Sequence, residues 1–213
     1  MLISAVNTRI PRVSFSEAHM NIIDPLVDEH FVVLTDFITP SMCTALLNEA
    51  EHKFNQNKFK PAGIGRNEDF HYSEMRRSDY TYWLNFQNQN KYFTEVYQKF
   101  QNLKNLINKE LFLGLFTEEF HFAFYPPGGF YESHTDSFRG SKNRLFSVVL
   151  FLNEGWNESD GGALRLTKKD GSSLYILPKS GTLVGFLSEE VEHEVCLTYR
   201  NRWSLTGWFR CRE

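Results

Sequence analysis

The chain has 213 residues, a formal net charge of −3 and 41% hydrophobic residues, with no apolar run near the roughly 18 residues that a bilayer-spanning helix needs. That mild acidity argues against a nucleic-acid partner, which calls for a basic face, and the length suits one domain, residues 1–213, with a well-buried core. The 20 Phe point to a core built on sheet faces. Cys43, Cys196 and Cys211 lack CxxC spacing and read as the reduced thiols of a cytoplasmic protein. Met1 to Pro11 lacks the basic and apolar regions of a secretion signal.

Met1 to Asn21 shows no period and is expected to be an irregular extension. Phe31-Val32-Val33-Leu34 reads as a short strand. Thr39 before Pro40 fits a helix cap with proline at the first helical position. Cys43, Leu46, Leu47, Ala50 and Phe54 then recur at helical spacing, which predicts an amphipathic helix over Pro40 to Gln56. Lys60 to Leu84, broken by Pro61, Gly63 and Gly65 and carrying His71, Arg76, Arg77, Asp79 and Trp83, reads as a long binding loop. Asn88 to Leu113 holds a three-four period through Phe93, Val96, Phe100, Leu103 and Ile107, the pattern of a long helix with one buried face.

From Glu118 the period changes to two. Phe120, Phe122 and Phe124 alternate with His121, Ala123 and Tyr125. Leu145 to Leu152 is apolar except for Ser147. Gly162 to Leu166, Ser173 to Leu177, Thr182 to Phe186, His193 to Leu197 and Arg202 to Phe209 follow, separated by Gly, Asn, Asp and Pro. Short strands at close, regular intervals predict a sandwich or barrel, mainly β, with helices in front of it.

Tyr125-Pro126-Pro127-Gly128-Gly129 leads into Phe130-Tyr131-Glu132-Ser133-His134-Thr135-Asp136, a strand, a Pro/Gly turn and a second strand. On an extended strand His134 and Asp136 share a face and offer an imidazole and a carboxylate to a borderline metal. His193 supplies a third ligand, and Arg202 follows nine residues later. Arg202, Ser204, Thr206 and Trp208 share one face of the last strand. An inward guanidinium needs an anion, either a buried Asp or Glu or the carboxylate of a bound molecule. Of the other histidines, His52 is expected in solvent and His121 to be packed, on the same face as Tyr125.

His-x-Asp, a distal His and an Arg beyond it resemble the pattern of the 2-oxoglutarate- and iron(II)-dependent dioxygenases. His134, Asp136, His193 and Arg202 match it residue by residue, over roughly Phe31 to Arg210. The resemblance implies a double-stranded β-helix (jelly-roll) core, about residues 118–210, with helices of an N-terminal part, about 31–115, packed on the major sheet. It implies Fe(II) held by His134, Asp136 and His193, and 2-oxoglutarate as co-substrate gripped by Arg202 beside Tyr125, Thr206 and Trp208. It further implies O2 as oxidant, succinate and CO2 as products, and ascorbate as an auxiliary reductant.

Three segments resemble the prolyl hydroxylase branch in particular: Gly161-Gly162-Ala163-Leu164, the closing strands from His193 and Arg202, and Arg77-Ser78-Asp79-Tyr80-Thr81-Tyr82-Trp83. The last is similar to the Arg-Gly-Asp-x-x-x-Trp segment that closes over the peptide in hypoxia-sensing-type prolyl hydroxylases and their bacterial relatives. The branch implies substrate contacts from Arg77, Asp79, Trp83 and Arg144, and hydroxylation at C4 of a prolyl residue in a protein. Bacterial members act on elongation factor Tu and animal members on a transcription factor. An Asp79–Arg144 pair is expected to tie the loop to the barrel mouth. Phe151 stands where the hypoxia-sensing enzymes have a tyrosine that assists the arginine, so Thr182 or Tyr125 is expected to replace its hydroxyl.

Other readings are an oxygenase acting on a free amino acid or another protein side chain, and a non-catalytic metal-binding jelly-roll. An intact Arg202 opposes the second, since a structural metal needs no carboxylate anchor. The nucleic-acid demethylase branch carries a second arginine at the position of Trp208.

Overall fold

The computed structural model describes residues 18–63, 73, 75–86, 90–137 and 144–212. The expectations for residues 1–17, Gly65 and His71 lie outside these. Within them the chain runs through α1 (Ala18–Asp28), β1 (Phe31–Leu34), α2 (Pro40–Asn55), β2 (Lys60–Pro61), β3 (Tyr80–Leu84) and α3 (Lys91–Leu111). The β half follows as β4 (Thr117–Tyr125), β5 (Tyr131–His134), β6 (Arg144–Phe151), β7 (Leu164–Thr167), β8 (Ser173–Ile176), β9 (Leu183–Leu187), β10 (His193–Val195) and β11 (Arg202–Arg210).

Local chemistry sets the helices. The Thr39 hydroxyl accepts from the Met42 amide at 3.3 Å and Pro40 opens α2, as its sequence predicts. The Asn90 side-chain Oδ1 accepts from the amides of Tyr92 (3.0 Å) and Phe93 (3.3 Å) at the start of α3. Phe93, Val96, Phe100, Leu103 and Ile107 form the fully buried stripe of α3. Each such side chain stabilises the fold by about 2 kcal/mol. α1 was not expected: the helix Ala18–Asp28 begins inside Met1 to Asn21, read as an irregular extension, continues through residues given no assignment, and buries Ile22 and Leu26. Its Pro25 and its short length hide the period.

The strands form two antiparallel sheets. One has seven strands in the order β1-β9-β6-β11-β4-β3-β2, and the other four in the order β5-β10-β7-β8. The alternation of β4 and β11 divides two cores. Phe120, Phe122, Phe124, Trp203, Leu205 and Phe209 pack outward against α2 and α3. Ala123, Tyr125, Val149, Phe151, Leu164, Leu166 and Val195 fill the space between the sheets. Helices on the outer face of the larger sheet and a sandwich interior on the other are the jelly-roll arrangement expected. Gly207 is fixed by packing, because a Cβ there would lie 2.2 Å from the Phe120 ring.

One expectation is corrected here. Lys60 to Leu84 is not one loop, since Tyr80–Leu84 pairs with β4 from Tyr80 opposite Phe124 to Leu84 opposite Phe120, and Lys60–Pro61 pairs with β3 in turn. The Pro126–Phe130 turn joins strands of different sheets: β4 belongs to the larger and β5 to the smaller. No helix among the described residues is long and apolar enough to cross a membrane. Cys43, Cys196 and Cys211 form no disulfide.

Candidate active site

Three ligand-type residues converge where the two sheets face each other. His134 ends β5 and stands in register opposite His193 on β10, their rings 4.2 Å apart. Asp136 lies two residues past the end of β5, so a bend and not the strand period brings it to the same point. Its oxygens lie 3.6 Å from His134 Nε2 and 3.7 Å from His193 Nε2. One ligand atom from each of the three residues falls within 4.8 Å of the others.

Each member is held from behind. His134 Nδ1–H donates to the Glu132 carbonyl at 2.7 Å, and His193 Nδ1–H to the Val191 carbonyl at 3.1 Å, which turns both Nε2 lone pairs to the centre. Ser147 Oγ donates to Asp136 at 2.6 Å and lies 2.8 Å from Ser188 Oγ, while the Asp136 amide donates to the Ser188 carbonyl at 3.2 Å. Burial alone would raise the Asp136 carboxyl, but His193, then His134 and Ser147, outweigh it and hold the group well below the usual carboxylate range. Burial, and then His134, lower His193 to about 4, so both are in the form a metal takes. Two imidazoles and a carboxylate, with no fourth ligand-type residue grouped with them among the described residues, fit Fe(II) and leave positions for a chelating acid and O2.

Arg202 forms the deep end of the same cavity. Its side chain is 1% exposed, and burial pulls its pKa down. Nε donates to the Gly162 carbonyl at 2.8 Å, and Nη2 is buried with no partner among the described residues. The carboxylate that would explain Arg202 as a plain salt bridge is taken. Asp79, 2% exposed, receives both oxygens' bonds from Arg77, at 2.7 and 2.8 Å. A buried cation with a free N–H fits the distal carboxylate of 2-oxoglutarate. Gly162 makes room for it: at φ +65, a Cβ would sit 3.0 Å from the Thr198 side chain and 3.1 Å from Arg202 Cδ. The Arg202 guanidinium lies over the rings of Tyr125 (5.0 Å) and Phe151 (5.2 Å). Of the two replacements expected for the hydroxyl absent at Phe151, Tyr125 lines the cavity and Thr182 does not.

A cavity of about 680 Å³ joins these groups to the surface, and every site residue expected from sequence except Asp79 lines it. At its mouth the expected Asp79–Arg144 pair is not formed. Arg77 is nearer Asp79 in the chain and grips it in a fork, whereas Arg144 reaches across the sheet to Glu119 at 2.8 Å and covers the Trp208 ring at 3.5 Å. Arg77 also lies 4.0 Å over Tyr131, which stacks on His134 at 3.6 Å, so the segment touches the triad through an aromatic ring. Trp83 remains 53% exposed at the rim. Ser147, Ser188, Gly162 and the cavity-facing His121 had not been singled out as site residues. Ser147 carried a signal as the polar interruption of an apolar strand, Gly162 as part of the Gly-Gly-x-Leu segment, and His121 by sharing a face with Tyr125.

A model of the 2OG-Fe(II) oxygenase superfamily matches residues 120–210. A crystal structure of a Pseudomonas putida prolyl-4-hydroxylase is 37% identical, with a TM-score of 0.83 over 92% of this chain and 100% of that one. A Trichoplax adhaerens prolyl hydroxylase in complex with a hypoxia inducible factor peptide fragment has a TM-score of 0.82 at 22% identity, over 91% of this chain and 89% of that one. The viral collagen prolyl hydroxylase of Paramecium Bursaria Chlorella virus-1, as its 2OG complex, has a TM-score of 0.61 at 19% identity, over 86% and 97%. The last two share the fold. With the triad, the buried arginine and the jelly-roll in place, the chain belongs to the 2OG-Fe(II) oxygenase superfamily, in its prolyl hydroxylase branch.

Proposed function

We propose that this oxygenase hydroxylates a prolyl residue of a protein at C4, in the cytoplasm, and that residues 1–213 act as one domain. The observation that carries the co-substrate assignment is Arg202 Nη2, buried and unpartnered in the cavity that holds His134, Asp136 and His193. The similarity to the Pseudomonas prolyl-4-hydroxylase over nearly the whole chain supports the substrate class.

In this reading His134, Asp136 and His193 hold Fe(II), which with 2-oxoglutarate and O2 supplies the oxidising chemistry: the diacid leaves as succinate and CO2, and one oxygen atom enters a C–H bond of the substrate. Ser147 and the Glu132 and Val191 carbonyls fix the ligand atoms, so little reorganisation accompanies metal binding. Arg202 grips the distal carboxylate with Nη2 while Nε stays on Gly162, which sets how far the diacid extends from the deep end. Tyr125, Thr206 and Trp208 form the walls beside it. Arg77, locked to Asp79 and laid on Tyr131, acts through the ring stack on His134 and holds the strand edge in place, while Trp83 and Arg144 shape the rim for the peptide.

The test is mass spectrometry of capped proline peptides, including proline segments of elongation factor Tu, incubated with Fe(II), 2-oxoglutarate and ascorbate. A +16 shift on proline is expected, localised to C4 by amino-acid analysis. Turnover of 2-oxoglutarate with oxidation only of free amino acids or of other side chains would replace the substrate assignment.

A further inference from the structure

One short turn reaches two of the three metal-ligand residues. Residues 187–191 join β9 to β10 and close on themselves, with the amides of Glu190 and Val191 both donating to the Leu187 carbonyl, at 3.1 and 3.2 Å. Ser188 opens the turn and is anchored to β6, its amide donating to the Leu145 carbonyl at 3.1 Å. The Ser188 carbonyl accepts from the Asp136 amide at 3.2 Å, and beside it Ser137 Oγ donates to Glu189 Oε1 at 3.4 Å. At the far end of the turn the Val191 carbonyl takes the His193 Nδ1–H at 3.1 Å. Asp136 and His193 are thus both held by one piece of chain, none of whose residues lines the cavity.

The Ser188 side chain adds a second link, and its direction follows from the acceptor at the end of it. The carboxylate of a metal ligand only accepts, so Ser147 commits its one O–H to Asp136 Oδ2 at 2.6 Å. In the 2.8 Å contact between the two serine hydroxyls, Ser188 is therefore the donor. Both serines are 0% exposed, which leaves this chain of hydroxyls, Ser188 to Ser147 to Asp136, as the source of their bonding. A serine side chain has three staggered positions about χ1. The bond from Ser188 selects the one in which Ser147 reaches Asp136.

We propose that Ser188 is a positioning residue for the metal centre: its hydroxyl acts on Asp136 through Ser147, while the turn it opens sets Asp136 against His193. This rests on the reading that His134, Asp136 and His193 hold Fe(II). It extends that reading to a residue outside both the ligand group and the cavity lining.

The test is a double-mutant cycle on iron affinity. Wild type, Ser188→Ala, Ser147→Ala and the double variant are titrated anaerobically with Fe(II), without 2-oxoglutarate. Ser188→Ala is expected to weaken Fe(II) binding about three- to tenfold, the effect of one hydrogen bond to a group behind a ligand. In the Ser147→Ala background the same substitution should change the affinity less than about twofold, because the hydroxyl it acts through is gone. Ser188→Thr separates the hydroxyl from packing. Its added methyl group should lower the Tm of the metal-free protein, yet Fe(II) affinity should stay within about threefold of the wild type. Unchanged Fe(II) affinity in Ser188→Ala overturns the proposal. So does an equal loss in both backgrounds, which would leave Ser188 no route through Ser147, and so does Ser188→Thr binding Fe(II) as weakly as Ser188→Ala. If the wild type binds no Fe(II), the metal reading itself falls and takes this inference with it. That outcome appears in the wild type, before any variant is compared.

Discussion

At the metal end of the cavity the ligand atoms are held by groups behind them, whereas other polar atoms that line the same cavity stand without partners among the described residues. His134, Asp136 and His193 are oriented by the Glu132 carbonyl, Ser147 and the Val191 carbonyl. His121 and Trp208 have buried nitrogens with nothing to bond among the described residues, and Trp83 beside them is half-exposed. The difference follows what each end meets. The metal end binds the same small groups in every turnover, so preorganising it costs nothing in range. Arg202 belongs to both kinds: Nε is fixed on Gly162, and Nη2 is left for a ligand.

The largest effect that would sharpen this contrast comes from Arg202. Arg202→Leu removes a charge-assisted contact in a dry site, and KM for 2-oxoglutarate should rise about 100-fold, by steady-state succinate release. A change of less than about threefold would move the anchor elsewhere. Next comes Ser147→Ala, which frees Asp136 on one side. Iron affinity, followed by titration with the metal, should fall about 10- to 100-fold with little change in the KM for peptide. An equal loss of peptide affinity would erase the division between the two ends.

A smaller effect separates the ends by pH. His121 sits at about 3 when folded against 6.5 when exposed, so below pH 6.5 the unfolded chain takes up a proton that the folded chain refuses until about pH 3. Stability therefore falls as pH drops through that window. His121→Phe should flatten the decline between pH 6 and 4 by up to about 1.4 kcal/mol per pH unit, measured by denaturant unfolding at each pH. Parallel curves for the two proteins would show that His121 is not held neutral. The smallest expected effect is Phe151→Tyr. A new hydroxyl near the Arg202 guanidinium should tighten 2-oxoglutarate about two- to fivefold. Unchanged affinity would show that Tyr125 already fills that role.

The site's chemistry was legible where it depends on residue type and strand period. The alternation of β11 placed Arg202, Thr206 and Trp208 on one face, and all three line the cavity. His134 and His193 were legible as ligands, though Asp136 reaches them through a bend that the strand period does not describe. What was hidden depends on tertiary partners. Asp79 could pair with either arginine by charge, and only the fold puts Arg77 within reach and sends Arg144 to Glu119. Tyr80–Leu84 becomes a strand because β4 offers it an edge, against the loop-forming character of the residues before it. His121 reads as one packed histidine among several, and its unpartnered nitrogen is a property of the assembled cavity.

The most direct test of the iron and co-substrate site is conversion of 2-oxoglutarate to succinate by the purified protein, with and without Fe(II), beside His134→Ala. The triad and Arg202 predict succinate formation that requires added Fe(II), stops on chelation and is absent from His134→Ala. Succinate formation that ignores iron, or that His134→Ala performs as well as the wild type, would contradict it.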